Sequence, residues 1–158
     1  MKVLGVVDLV LLQTASIAVA SAGVFLAAVY YIFQIRNQTR MRQTDLVMRL
    51  YSQFNSLEFQ KVWHAVLSGE TKDYDDRNIE VLAEVTAVGM FFEGIGILLK
   101  RKLIGIELVD DMFTTPIKWT WEKMKDITLK LRKTRNQPEI LEWFEYLYNE
   151  MQRREQRK

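Results

Sequence analysis

Apolar positions along this chain follow two different patterns. The first is unbroken: Thr14 to Phe33 reads TASIAVASAGVFLAAVYYIF without a charge. About twenty such residues are what a helix needs to cross the hydrocarbon core of a bilayer. Val10-Leu11-Leu12 can lengthen the run if the helix tilts. Tyr30 and Tyr31 stand at the end where amphipathic rings meet lipid headgroups. Within the run Ser16, Ala20, Gly23 and Ala27 form one stripe of small residues, the kind of surface that lets transmembrane helices approach closely.

The second pattern is periodic. Leu46, Val47, Leu50, Tyr51, Phe54 and Leu57 recur at helical spacing. Asn55 or Ser56 is placed to interrupt that helix and cap another through Val62, Trp63, Val66 and Leu67, which Ser68-Gly69 stops. The acidic stretch Glu70 to Arg77 reads as a loop, and Asn78 as the cap of a helix running to about Leu103 and stopping near Gly105. That helix is apolar on most sides, but Glu84 and Glu93 cut it into pieces too short to span lipid. It reads as the buried central helix, with Gly89 and Gly96 admitting a close neighbour on the face of Val85, Phe92 and Leu99.

Beyond it, a short helical turn is expected from Glu107 to Phe113. A new helix then starts at Thr115-Pro116, because proline suits the first helical position. Ile117, Trp121, Met124, Thr128 and Leu131 lie on its inner face, and Asn136-Gln137-Pro138 ends it. Ile140, Leu141, Phe144, Leu147, Tyr148 and Met151 mark a last helix. No segment alternates as a half-buried strand does. The expected fold is all-α: one N-terminal transmembrane helix followed by a cytoplasmic bundle of about four to five helices. The expected divisions are an anchor at 1–35, a juxtamembrane stalk at 36–44, a helical domain at 45–152 and a basic tail at 153–158. The stalk is read either as continuing the span or as breaking before a helix capped by Thr44 or Asp45.

Charge sets the orientation. Arg36, Arg40 and Arg42 follow the apolar run and outweigh Lys2 and Asp8 before it. Basic residues are held on the cytoplasmic side, so the N-terminus is expected outside the cell membrane and the helical domain inside. Ala20-Ser21-Ala22 fits a signal-peptidase pattern, but the start is weakly basic and cleavage would leave an apolar mature end followed by arginines. A retained single-pass anchor is favoured.

Composition narrows the chemistry. The 158 residues include no cysteine and one histidine, His64, and carry a net charge of +2. Disulfides and thiolate metal sites are excluded, and His64 has no catalytic partner in its neighbourhood of the sequence. No cofactor, metal or catalytic residue is expected, and the small net charge gives no reason to expect nucleic acid. Glu93, inside FFEGIGILL, must pair, neutralise or face outward. A buried pair with Arg132 or Arg135, or a hydrogen bond to a tryptophan N–H, is the expected answer, ahead of a proton-handling or ligand-binding role. Of Trp119 and Trp121, which flank Thr120, one is expected in the core and the other outside.

The stretch FFEGIGILLKRKLIGIELV, a tryptophan-containing helix, and a proline followed by ILEWFEYL together resemble a family of small membrane-anchored microbial proteins catalogued as a domain of unknown function. The resemblance covers roughly Asp45 to Tyr148. It implies the same single span and helical domain, and no activity. The expected role is a membrane-tethered, non-enzymatic interaction or assembly module. Its expected partners are membrane lipids and either a second copy or another membrane protein. The alternative is an accessory subunit of a membrane transport or sensing complex.

Overall fold

The structure is a computed structural model that describes residues 2–69 and 79–157, with side chains described at 11–69 and 82–157. The Asn78 cap and the acidic stretch from Glu70 to Arg77 lie outside the described residues. Five helices are present among those described: α1 (Lys2–Phe54), α2 (Leu57–Ser68), α3 (Ile79–Lys100), α4 (Ile106–Arg135) and α5 (Glu142–Glu155). The chain divides into two compact units, Met1–Arg42 and Gln43–Lys158. The division falls inside the segment read as a stalk.

The first unit is helical backbone alone. From Leu11 to Arg42 its side chains are exposed on every face except at half-buried Val29. Two hydroxyls of the apolar run turn inward to the helix. Thr14 Oγ1 donates to the Leu11 carbonyl at 3.1 Å and Ser16 Oγ to that of Leu12 at 2.8 Å. These two hydroxyls thus find partners within their own helix, an arrangement compatible with an apolar surrounding. No break or cap occurs at Thr44 or Asp45, since α1 continues helically to Phe54.

The second unit holds the core. Ser56 caps α2, its Oγ accepting from the Phe59 N–H at 3.3 Å, and Gly69 ends α2 in the left-handed region at φ 79°. Phe54 lies against Phe59, Trp63, Phe91, Phe92 and Phe113, joining four helices through aromatic contacts at offset and edge geometries. Val88, Phe92 and Ile95 of α3, Val109, Phe113, Ile117 and Met124 of α4, and Phe144 and Leu147 of α5 are fully enclosed. α3 packs against α2, α4 and α5, with α5 its most extensive neighbour. It is the central helix the sequence implies.

α3 ends in a Schellman arrangement. The Leu103 N–H donates to the Leu98 carbonyl and the Lys102 N–H to that of Leu99, both at 2.9 Å. The left-handed residue of this motif, normally glycine, is Lys102 at φ 57°. A side chain there costs about 1 kcal/mol.

The expected helix start at Thr115-Pro116 is overturned. α4 is a single helix of 30 residues with Pro116 inside it. Val109, Phe113, Ile117, Thr120, Trp121, Met124 and Thr128 are all buried along it. One apolar face therefore runs past the proline, and its burial offsets the hydrogen bond that the ring removes. Arg153 and Arg154 likewise belong to α5 rather than to a separate tail. Arg153 pairs with Glu150 at 2.6 Å, and Arg154 Nε reaches Asp110 at 2.7 Å.

Candidate functional site

Glu93 and the start of α5 form the most constrained polar arrangement in the helical domain. α5 has no cap of its own. Its N-cap position is Leu141, a left-handed residue at φ 54° whose side chain has nothing to offer the helix amides. The first N–H groups of a helix lack internal partners and normally draw a Ser, Thr, Asp or Asn. Glu93 supplies that group from α3. Its Oε2 accepts the Phe144 N–H at 2.6 Å, across 51 positions of sequence. The carboxylate also sits at the positive end of the α5 dipole, where a negative charge is favoured.

Two glycines of α3 make room for this approach. A Cβ on Gly96 would collide with the Trp143 carbonyl, and one on Gly89 would crowd the Leu141 and Met124 side chains. The close neighbour that the sequence left unnamed is therefore the entry of α5. Phe92 of α3 stacks on Phe144 of α5 at 4.9 Å. Lys100 lies over the Trp143 and Tyr146 rings at 5.7 and 5.1 Å.

The arginines take other roles than the one expected. Arg132 Nη1 donates to Glu145 at 2.6 Å and its Nε to the Ile140 carbonyl at 2.8 Å. It therefore clamps the bend that precedes α5. Its charge is felt at Glu93 only as a minor influence. Arg135 is exposed in the last turn of α4. The expected arginine pair is replaced by a backbone partner because a carboxylate on α3 faces the open amides of a helix end. Burial raises the Glu93 carboxyl above the ordinary value of 4.5, outweighing the Phe144 and Trp143 amides that pull it down. Only 8% of Glu93 reaches solvent. With one oxygen held by the Phe144 amide, its work is to fix α5 to α3.

Further polar contacts pin the remaining helices. Buried Trp63 donates through Nε1 to Thr120 Oγ1 at 2.7 Å, and that hydroxyl donates to the Pro116 carbonyl at 2.6 Å. Asp110 accepts from Arg154 and from Thr114, tying α4 to α5. Reading the sequence missed both, since each joins residues whose types are ordinary on a helix surface. Trp121 is in the core and Trp119 outside it. His64 is exposed beside the Trp63 ring. Among the described residues no group of three or more His, Asp or Glu side chains could hold a metal ion.

In the first unit, Ser16, Ala20, Gly23 and Ala27 are all exposed, and a Cβ on Gly23 would meet open space. Arg36, Arg40 and Arg42 are exposed on the helix that follows the apolar run. This helix is long and apolar enough to cross a membrane, and none of its apolar window is buried. α3 meets the same condition of length and composition from Leu82 to Lys100, but half of it is buried.

A family described as a domain of unknown function, DUF4760, matches residues 17–151. The chain belongs to this family. No curated protein and no solved structure matches it. The DUF4760 match starts within the apolar run and ends at Met151, the last core residue of α5. It thus takes in both the apolar helix and the domain, and it is wider than the stretch on which the resemblance was drawn.

Proposed function

We propose that this DUF4760 protein is a single-pass protein of the cell membrane, with its N-terminus outside and its helical domain in the cytoplasm. That domain serves as a non-enzymatic module for interaction or assembly. One observation carries the reading: the helix from Leu11 to Phe33 is apolar and exposed throughout except at half-buried Val29, with arginines following it. Such a surface is unfavourable in water and is at home in lipid. The internal hydrogen bonds of Thr14 and Ser16 support it. So does a family match that begins at residue 17, upstream of the Ala22 cleavage position. Arginines on the trailing side favour the cytoplasm for the domain.

The stripe of Ser16, Ala20, Gly23 and Ala27 is the surface through which the span would pack on a second copy or on another membrane helix. The alternative, an accessory subunit of a transport or sensing complex, relies on Glu93 as a working polar group. The hydrogen bond from Phe144 favours the structural role instead.

The chain has no cysteine, so single cysteines report topology directly. Lys2→Cys should react with an impermeant maleimide in intact cells, and Gln156→Cys only after permeabilisation. Carbonate washing should leave both in the membrane pellet. Release of the chain into the wash, or labelling of Gln156→Cys from outside, overturns the topology. A monomer in mild detergent with no partner after in-cell crosslinking would end the assembly role.

A further inference from the structure

The end of α3 combines features that the core does not explain. Met90, Ile97 and Arg101 follow one another along the outer face of α3 and its cap, and all are exposed, Met90 at 57% and Ile97 at 39%. Gly94 lies on that face with open space where a Cβ would stand. The helix then closes on Lys102 in the left-handed region, followed by Leu103 at 53% exposure. Glycine is the usual residue at such a cap, so the sequence keeps a cationic side chain at a strained position. Arg101 and Lys102 have no acidic partner among the described residues. Glu107, the first acid to follow them in the chain, is engaged with Arg154.

We propose that this knuckle, Arg101-Lys102-Leu103 with Ile97 and Met90 behind it, is a second membrane contact that docks the helical domain on an anionic bilayer surface. The proposal rests on the anchored reading above. Exposed aliphatic side chains beside cations whose charge is not neutralised match a surface that is apolar below and negative at the headgroups. A protein partner would need acids placed to meet two adjacent cations, whereas anionic lipids diffuse to them. Covalent attachment to the span keeps the domain at high effective concentration near the surface. A weak contact therefore suffices.

The full chain can be tested in vesicles. Two single-cysteine variants, Phe25→Cys and Leu103→Cys, would each carry an environment-sensitive dye. Vesicles would be phosphatidylcholine alone or mixed with phosphatidylglycerol, with brominated lipids as quenchers. The Phe25 dye should be quenched in both. The Leu103 dye should shift to the blue and be quenched several-fold more in the anionic vesicles, and high salt should reverse this. Arg101→Gln with Lys102→Gln should remove the response while circular dichroism stays unchanged.

A Leu103 dye that remains water-like in anionic vesicles, with the Phe25 dye quenched, overturns the docking and leaves the anchor standing. A shift that persists in phosphatidylcholine and in high salt points to a protein contact and also overturns it. An unquenched Phe25 dye removes the anchor and the docking with it.

Discussion

α1 and α3 each contain a stretch apolar enough and long enough to cross a bilayer, yet they meet opposite surroundings. No residue of the apolar stretch of α1 is buried, whereas half of the α3 stretch is. What separates them is not hydrophobicity but the residues that interrupt it. Gly23 of α1 faces open space, while Gly89 and Gly96 of α3 are covered by Leu141 and Trp143. Thr14 and Ser16 of the α1 run bond within their own helix, and Glu93 reaches into another. An interruption that needs a partner elsewhere in the chain marks a core helix. One satisfied locally marks a helix fit for lipid.

A charge in the proposed span tests this contrast most severely. Val24→Arg should oppose insertion by about 3 kcal/mol, measured as loss of the chain from carbonate-washed membranes. A second test compares the glycines. Gly96→Ala should destabilise the helical domain by about 2.5 kcal/mol, because the added methyl meets the Trp143 carbonyl. Gly23→Ala should leave the denaturation midpoint in detergent unchanged. If both alanines behave alike, the contrast between the helices fails.

Removing the Glu93 side chain with Glu93→Ala should cost about 2 kcal/mol, since the buried Phe144 N–H loses its acceptor. Thr120→Val should cost about 1 kcal/mol by leaving the Trp63 N–H unpartnered. Both are readable from denaturant midpoints.

The smallest effect is the most discriminating. Glu93→Gln keeps an acceptor for Phe144 and should change stability little near neutral pH, while altering its pH dependence. The folded carboxyl titrates above its ordinary value of 4.5, so the folded state holds its proton to higher pH than the unfolded state does. That contribution is complete below the ordinary value and is lost as pH rises through the raised one. Wild-type stability should therefore carry a decline over that interval that the glutamine variant lacks. A decline of equal size in both would remove Glu93 as its source.

Much of this fold could be read from residue types because its signals are local. Ser56 and Gly69 bound α2, and Asn136 ends α4 at φ 51°. Glu84 and Glu93 pointed to α3 as a core helix. What could not be read depended on distant partners. Pro116 suits a helix start, but continuous burial from Val109 to Thr128 carries the helix through it. The acceptor role of Glu93 was hidden because its partner is a backbone amide, which no residue type announces. Leu141 was expected in the helix for its apolar side chain, and it instead turns the chain into α5.

The borrowed start of α5 affects how the molecule comes into being. A helix that begins with a leucine in a left-handed turn has little reason to form until α3 offers its carboxylate and its glycine hollow. α5 also follows the other four helices in chain order. The domain therefore cannot close before the ribosome has delivered α5, and a product truncated near Pro138 would leave the Phe92 ring without its cover, a natural mark for proteolytic disposal.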